Sequence, residues 1–401
     1  MTERVRAFFQ EHRDEFIAFT RALVLEESPS TRPEAQAPVL GLLAEAFEAL
    51  AFETLRLPGR ATGGQLYARP RTRARGAPRQ LLLGHCDTVW PLGTLAEMPF
   101  ERRDAMVRGP GVFDMKAGLA MIVFALRALR ALALTPTVTP LVFVNSDEEI
   151  GSFESQARLE RLARVSDRAL VLEPALGPAG KIKTRRKGTG DFEIVVRGKA
   201  AHAGLAPEEG RSAILELTYV VQKLFALNDP ATGVTVNVGT LEGGTRANVI
   251  AAESRIRVDV RVPTREDAAR VETAIRSLKP TTPGVTLEVR GGMERLPMEP
   301  TPRNRALWLR YRALAEAAGV PVEEGLAGGA SDGNFTSLHT ATLDGLGAVG
   351  DGAHARHEFI DLDRTLERAM LLTLLLMEPP LRSPPLRNAG ILASSKPEVS
   401  E

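Results

Sequence analysis

Apolar and polar residues follow two different patterns along the chain, and the first pattern predicts helices that alternate with buried strands. Apolar residues at helical spacing predict helices over 2–25, 34–52, 114–133, 155–164 and 303–318. Short apolar runs predict strands over 79–84, 139–146 and 168–174. Because strands that alternate with helices usually form a parallel sheet covered on both faces, these regions predict an α/β domain.

The pattern changes in the middle of the chain. There, alternating apolar residues predict strands over 191–198, 233–243, 253–263 and 284–292, with helices over 210–227 and 264–278. The order β-α-β-β-α-β is that of the ferredoxin-like split unit. We therefore predict a mostly parallel α/β domain, formed by residues 1–186 and 298–401, with a ferredoxin-like α+β domain inserted at 187–297. Residues 383–401 are predicted to be a loose tail.

Composition excludes several classes of protein. The 401 residues are 44% hydrophobic and 25% charged, with a net charge of +1, which is typical of a globular protein and gives no sign of a nucleic-acid or acidic-membrane partner. Cys86 is the only cysteine, so no intrachain disulfide can form. The first residues lack a signal-peptide pattern, and no apolar run has the length of a membrane span. We predict a soluble, cytoplasmic protein.

Potential metal ligands follow the three predicted strands of the larger domain. His85 and Asp87 follow the first strand, Glu148 and Glu149 follow the second, and Glu173 lies at the end of the third. Sites in open parallel sheets lie beyond the carboxyl ends of the strands, so these groups are expected to converge. Carboxylates brought together repel one another, and a divalent cation removes that penalty. Imidazole and carboxylate ligands suit zinc, with cobalt or manganese as alternatives.

Two further segments offer ligands. Asp114 lies in "GPGVFDMKAG", where a glycine-rich turn meets a long helix, and it is either another ligand or a helix cap. A second histidine is expected from "VGDGAHARHEFIDL", which contains His354 and His357. The residues themselves do not decide between the two histidines.

Six motifs carry a resemblance to a known family. In chain order they are "GHCDTVWP", "GPGVFDMKAGLA", "NSDEEIGS", "LEPA", "GKAAHAG" and "GAHARHEFIDL", between about residues 80 and 365. They resemble the di-zinc exopeptidase and deacylase family of glutamate carboxypeptidase and the aminoacylases. The resemblance implies that the larger domain is catalytic, that the inserted domain is a dimerisation or lid domain, and that the protein is a homodimer.

The resemblance also implies the ligands of two Zn²⁺ ions per subunit. His85 and Glu173 are expected to bind one ion, and Glu149 and His354 the other. Asp114 is expected to bridge both ions and to precede a cis peptide bond. Each ion then has three protein ligands and room for a shared water molecule.

Family spacing favours one histidine over the other. The ligand histidine of the family stands four residues before an acidic residue followed by an aromatic one, and here Glu358 and Phe359 stand four and five residues after His354. His357 is therefore a departure from the pattern. The resemblance further implies that Asp87 orients the first zinc histidine and that Glu148 is the general base.

Substrate contacts are implied for residues of both domains. They are Lys181, His202, Asn248, Arg261, Arg295 and Gly329. The family's counterpart of His202 reaches into the partner subunit's site and polarises the scissile carbonyl. Lys181, Arg261 and Arg295 suit a substrate with two carboxylates. From the pattern alone, Arg261 is more readily interpreted as an ordinary solvated strand arginine, whereas the pattern leaves His202 equally an ordinary loop histidine or a functional one.

The predicted function is zinc-dependent hydrolysis of an amide bond that releases a C-terminal, glutamate-like amino acid. An aminoacylase, or another N-acyl amino acid deacylase, would use the same chemistry on a different side chain. A catalytically silent, metal-dependent dimer that binds peptides or amino acids is a further alternative, which the ligand set and Glu148 disfavour. A di-metal phosphoesterase is disfavoured because the sequence has no evident phosphate cradle.

Overall fold

A computed structural model describes residues 1–381, which contain ten α-helices and sixteen strands. The helices are α1 (Thr2–Glu11), α2 (Arg13–Leu25), α3 (Pro33–Ala49), α4 (Ala117–Ala131), α5 (Gln156–Arg164), α6 (Ala213–Phe225), α7 (Arg265–Arg276), α8 (Pro302–Ala317), α9 (Asp332–Ser337) and α10 (Leu362–Leu376). The strands of the first half are β1 (Phe52–Leu57), β2 (Gln65–Pro70), β3 (Arg79–His85), β4 (Glu101–Arg103), β5 (Met106–Arg108), β6 (Thr139–Asn145), β7 (Arg168–Val171) and β8 (Ile182–Arg186). Those of the second half are β9 (Gly188–Arg197), β10 (Thr235–Gly243), β11 (Glu253–Val262), β12 (Thr286–Arg295), β13 (Glu324–Ala327), β14 (Ala341–Leu343), β15 (Gly350–Asp351) and β16 (Phe359–Asp361).

The larger domain is built on a six-stranded sheet with the order β1-β2-β6-β3-β7-β14. Strands β6, β3, β7 and β14 are parallel, whereas β1 and β2 form an antiparallel edge. The central strands are buried along their whole length because helices cover both faces, and α4 is almost entirely buried. The predicted mostly parallel α/β sheet is confirmed.

The inserted domain has the predicted ferredoxin-like element order, β9-α6-β10-β11-α7-β12. Its sheet has the strand order β10-β11-β9-β12 and is antiparallel throughout. One side carries α6 and α7, and seventeen buried residues between Phe192 and Val285 form a core separate from that of the larger domain. Arg186 and Met298 exchange backbone hydrogen bonds of 3.1 Å, so the chain enters and leaves this region side by side. The boundaries at 187 and 297 remain a prediction.

Several short elements, among them β4, β5, β8, β14 and α9, were not predicted, and three larger differences have local explanations. The helix predicted over 2–25 is two helices, because the backbone leaves the helical region at His12, whose ring stacks on Phe8. The apolar periodicity continues through this break, so the pattern does not reveal it. The edge strands β1 and β2 were not predicted because β1, "FETLRL", is largely exposed and has weak apolar alternation. The helix predicted over 114–133 begins at Ala117, and Asp114 does not cap it.

The predicted tail, residues 383–401, lies outside the described residues. Within residues 1–381, no helix combines the length and the apolar character that crossing a membrane requires.

Candidate metal centre

The parallel strands deliver the predicted ligands to one edge of the main sheet. Strand β3 ends at His85, the turn after β6 carries Glu148 and Glu149, and the chain beyond β7 carries Glu173. Because β3, β6 and β7 run parallel, their carboxyl ends share this edge. A turn of left-handed and irregular backbone brings in Asp114 just before α4, and the Asp114–Met115 bond is cis, as the resemblance implied.

Two half-sites meet at the carboxylate of Asp114. On one side, His85 Nε2 lies 3.3 Å from Asp114 Oδ1 and 3.4 Å from Glu173 Oε1. On the other side, His354 Nε2 lies 3.4 Å from Asp114 Oδ2 and 3.1 Å from Glu149 Oε2. Each oxygen of Asp114 therefore faces a different histidine and a different second carboxylate. This is the arrangement that a bridging ligand of two ions requires.

The donor set fits divalent cations. Asp114 Oδ1 and Glu149 Oε1 are buried and accept no hydrogen bond, although buried carboxylate oxygens normally do. Ligand atoms of His85, Asp114 and Glu149 lie within 4.8 Å of one another, as do those of His85, Glu148 and Glu173. Imidazole and carboxylate groups at this density suit zinc and its neighbours in the transition series.

The charges of these groups lead to the same conclusion. Burial disfavours the charged form of His85, but Asp114, Asp87 and Glu173 outweigh it and hold the His85 pKa well above its usual value. Contacts with Asp114 and Glu149 raise the pKa of His354 to about 10. The carboxylates thus draw protons onto both histidines, and a divalent cation would take the place of those protons.

Asp87 ties His85 to the loop after β6. Its Oδ1 lies 3.4 Å from His85 Nδ1, and its backbone oxygen lies 3.0 Å from the same nitrogen. Its two carboxylate oxygens accept the backbone N–H groups of Glu148 and Glu149 at 3.3 and 3.2 Å, and Ser30 Oγ donates to Oδ2 at 2.7 Å. Asp87 is therefore placed to fix the orientation of the imidazole, in the way that carboxylates behind metal-ligating histidines do.

Glu148 differs from Glu149 because an arginine binds it. Arg295 Nη1 donates to Glu148 Oε1 at 2.7 Å, and Arg295 Nη2 donates to the Glu148 backbone oxygen at 3.1 Å and to Ser152 Oγ at 2.8 Å. Burial raises the pKa of Glu148 to about 8 against the opposing charge of Arg295, and burial raises the pKa of Glu149 to about 7. Arg295, predicted to contact substrate, thus lies in the crevice but is bound to the predicted base.

Glu173 has a cationic partner that the sequence analysis missed. Arg186 Nη2 donates to Glu173 Oε2 at 3.1 Å, and the same guanidinium binds Asp344 through Nε at 2.8 Å and Nη2 at 2.9 Å. Arg186 Nη1 donates to the backbone oxygen of Gly329 at 3.1 Å, which places that predicted pocket residue near the centre. Lys183 Nζ lies 4.0 Å from Glu173 Oε2. The run "KIKTRRKG" was the only available signal, and it does not show which cation faces inward.

The other predicted cations contact carboxylates away from the ligands. Lys181 Nζ lies 2.7 Å from Glu323 Oε2, and the Lys181 side chain is 40% exposed. Arg261 binds Asp259 on the same strand at 2.9 Å. His357 is exposed, and in residues 1–381 no ion pair joins it to the other predicted ligands, whereas His354 contacts two of them.

His202 and Asn248 lie next to each other on the inserted domain. The backbone N–H of Ala203 donates to Asn248 O at 3.0 Å, and both predicted residues are exposed. His202 Nδ1 accepts the N–H groups of Gly204 and Leu205 at 3.1 and 3.2 Å, so its proton is on Nε2. Within the described part of the subunit, no hydrogen bond or ion pair links His202 or Asn248 to the metal-site residues.

Comparison with known proteins gives a consistent result. Residues 81–378 match the sequence profile of peptidase family M20/M25/M40. The chain is 29% identical over 325 residues to carboxypeptidase G2 of Pseudomonas sp. (strain RS-16), covering 77% of this chain and 75% of that protein. It is 28% identical over 307 residues to a succinyl-diaminopimelate desuccinylase of Xanthomonas oryzae pv. oryzae (strain PXO99A), covering 72% of this chain and 80% of that protein.

A solved structure shares the fold. The YXEP protein of Bacillus subtilis, described as a dinuclear metal-binding peptidase of the M20 family, superposes with a TM-score of 0.65 over 92% of this chain and 98% of that chain. The two sequences are 14% identical, so this likeness concerns the fold.

Proposed function

The chain belongs to peptidase family M20/M25/M40, and from that premise we propose that it is a two-metal hydrolase that cleaves an amide bond and releases a C-terminal amino acid. One observation carries the proposal: two histidine–carboxylate half-sites share Asp114, and Glu148 stands beside them. The similarity to carboxypeptidase G2 supports release of a C-terminal residue.

We assign the ligands as the geometry groups them. His85 and Glu173 would hold one ion, His354 and Glu149 the other, and Asp114 both. We propose Zn²⁺, with Co²⁺ or Mn²⁺ as substitutes. Two bound ions would lower the pKa of a shared water toward about 7 and polarise the scissile carbonyl.

Glu148 would act as the proton carrier. It would accept a proton from the attacking water and return it to the leaving nitrogen. Arg295 fixes one oxygen of Glu148 and so holds its carboxylate in one orientation. Burial raises the pKa of Glu148 to about 8, and two bound cations would lower that pKa, so that the carboxylate could accept a proton from the water.

We further propose a homodimer in which the partner subunit's His202 donates its Nε2–H to the developing oxyanion. The exposure of His202, and the protonation of Nε2 that its two Nδ1 contacts impose, support this role. Oxyanion donors of this kind must be fixed before the reaction, and the turn Gly204–Leu205 fixes the ring.

The leaving amino acid is proposed to be glutamate-like, with Lys181, Arg261 and Arg295 as the cations that bind its two carboxylates. Each of these cations is paired with a carboxylate of this chain, namely Glu323, Asp259 and Glu148. A substrate carboxylate must therefore share or displace those partners. The similarity to a desuccinylase favours a second candidate, hydrolysis of an N-acyl amino acid with the same groups.

A substrate panel tests the proposal. Zinc-loaded protein is assayed against N-acyl-glutamate, N-acyl-leucine, N-acyl-alanine and dipeptides, with Glu148→Gln as the matched control for contaminating hydrolases. We expect release of free amino acid, fastest from N-acyl-glutamate, and none from the variant. Equal cleavage of N-acyl-leucine would overturn the glutamate preference, and no cleavage of any amide would overturn the hydrolase.

A further inference from the structure

We propose that Glu358 is a positioning residue that holds the bridging Asp114 loop against the loops carrying the two histidines, and so makes the two-ion site possible. The inference rests on the metal centre proposed above. Glu358 is 1% exposed and lies four residues after His354. In the sequence, Glu358 is only part of the spacing that favours His354 as the second ligand histidine.

Four hydrogen bonds converge on the carboxylate of Glu358. Its Oε1 accepts the backbone N–H groups of Phe113 at 2.8 Å and Asp114 at 3.1 Å. Its Oε2 accepts the backbone N–H of Gly111 at 2.9 Å and the indole Nε1–H of Trp90 at 2.8 Å. Both oxygens are filled by donors, so Glu358 itself is not placed to bind an ion.

These four donors belong to segments that must meet for the site to form. Gly111, Phe113 and Asp114 form the turn that aims the bridging carboxylate, and that turn lies outside any regular helix or strand ladder. Trp90 follows the strand that ends at His85. Without Glu358, three backbone N–H groups of this turn would lose the acceptor that they share.

Glu358 also belongs to the loop of His354. Its backbone N–H donates to Ala355 O at 2.9 Å, and Ala355 N–H donates to Gly352 O at 2.8 Å. His354 has φ of 61°, a left-handed conformation that a residue with a side chain adopts at an energetic cost. One side chain therefore connects the turn of the bridging ligand to the loop of the second histidine.

The four-donor arrangement requires a carboxylate and not its amide. A glutamine has one oxygen and one NH₂ group, so in either orientation its NH₂ would face two N–H donors. Glu358→Gln therefore removes two hydrogen bonds and leaves buried donors without acceptors, although side-chain volume hardly changes. Groups behind metal ligands typically change metal affinity by about 10- to 100-fold when they are lost.

Glu216 provides a matched control. It is a buried glutamate of α6 in the inserted domain, and its two oxygens accept the backbone N–H groups of Thr281 and Thr282 at 2.8 and 2.7 Å. Glu216→Gln makes the same chemical change, also at backbone donors, far along the chain from any predicted ligand. Any general effect of converting a buried glutamate to glutamine should appear in both variants.

The test is zinc binding, measured with a competing chelator, together with the visible absorption spectrum of the Co²⁺-substituted protein. We expect Glu358→Gln to weaken binding of at least one ion by about 10- to 100-fold and to change the Co²⁺ spectrum. Glu216→Gln should match wild type in both measurements. Wild-type affinity and spectrum in folded Glu358→Gln would overturn the inference, whereas a wild-type protein that binds no zinc would overturn the metal centre itself.

Trp90→Phe keeps the inference testable if Glu358→Gln does not fold. It removes one of the four hydrogen bonds and leaves the charge and the backbone contacts in place. We expect a smaller loss of zinc affinity, of a few-fold, in a protein that melts close to wild type. Unchanged zinc affinity and an unchanged Co²⁺ spectrum in Trp90→Phe would count against the role of Glu358.

Discussion

Carboxylates at the edge of the main sheet and carboxylates on the inserted sheet have opposite environments. At the main sheet, Asp114 and Glu149 each have a buried oxygen that accepts no hydrogen bond. On the inserted sheet, Asp191 binds Arg257 at 2.9 Å, and the two side chains are 43% and 64% exposed. The same residue type thus forms a screened surface pair in one region and a buried anionic cluster in the other.

The difference shows where a cation is needed. On the inserted sheet, water and arginine side chains already balance the charges of the carboxylates, so these ion pairs contribute little to stability. The cluster around Asp114 is largely buried, and within residues 1–381 its carboxylates face the two histidines, Arg186, Arg295 and Lys183. Metal ions should therefore matter greatly to one region and very little to the other.

Metal removal should give the largest contrast. Dialysis against a chelator is expected to abolish amide hydrolysis and to reduce hydrogen-exchange protection at 85–88, 111–116 and 352–358, because the proposed ions would hold these segments together. Strands β9 and β11 should keep their protection. Equal loss of protection in both regions would show that metal does not act mainly at the edge of the main sheet. Full activity after chelation would show that hydrolysis does not need the metal. Restored zinc should restore both readouts.

The next largest expected effect distinguishes the roles of the adjacent residues Glu148 and Glu149. Glu148→Gln should lower kcat by about 10² to 10⁴ while both ions stay bound, because the variant loses the proposed base and keeps the proposed ligands. Glu149→Gln should lose metal because an amide is a weaker ligand than a carboxylate. Metal content and kcat are measured on both variants. If Glu148→Gln lost metal and Glu149→Gln kept it, the two roles would have to be exchanged.

His202 tests the link between the two regions. His202→Ala should lower kcat by about 10² to 10³ and keep its metals, since it removes the proposed oxyanion donor. If the proposed homodimer forms, mixing His202→Ala with Glu148→Gln subunits would create dimers with one complete site and one doubly defective site. If half the dimers are mixed, activity should return to at most about a quarter of wild type per site. No recovery despite demonstrated subunit exchange would place His202 in its own subunit's site, or in none.

The smallest expected effects are changes in the free energy of unfolding, and they distinguish a buried arginine from an exposed one. Arg186→Met leaves Asp344 and Glu173 without their buried guanidinium and should destabilise the protein by about 3–5 kcal/mol. Arg257→Met breaks only the exposed pair and should cost about 0.2–1 kcal/mol. Denaturant unfolding measures both. Similar costs for the two variants would show that burial does not distinguish these sites.

The sequence predicts those parts of the fold and of the site that follow from local patterns of apolar and polar residues. His85 ends a buried strand, and the rule that parallel strands end at one edge brings it to the turn with Glu148 without knowledge of any contact. The ferredoxin-like order of the inserted domain follows in the same way from alternation and helix signals. The family resemblance makes Asp114 a bridging ligand rather than a helix cap, and it chooses between two histidines that the residues alone leave equal.

The rest depends on contacts between distant parts of the chain. Arg295 binds Glu148 from 147 positions away, and Glu358 reaches Phe113 from 245 positions away. No periodicity encodes such a pair, so the sequence did not show that Arg295 binds Glu148, and it gave Glu358 no role. Arg186 was missed for a related reason, because strand β8 presents several cations and only the packing shows which one faces Glu173.

The central claim is that this chain builds a site for two metal ions that share Asp114. Calorimetric titration of the chelator-treated wild-type protein with zinc tests this claim most directly. We predict two Zn²⁺ ions bound per chain, and a stoichiometry of one or none would contradict the claim.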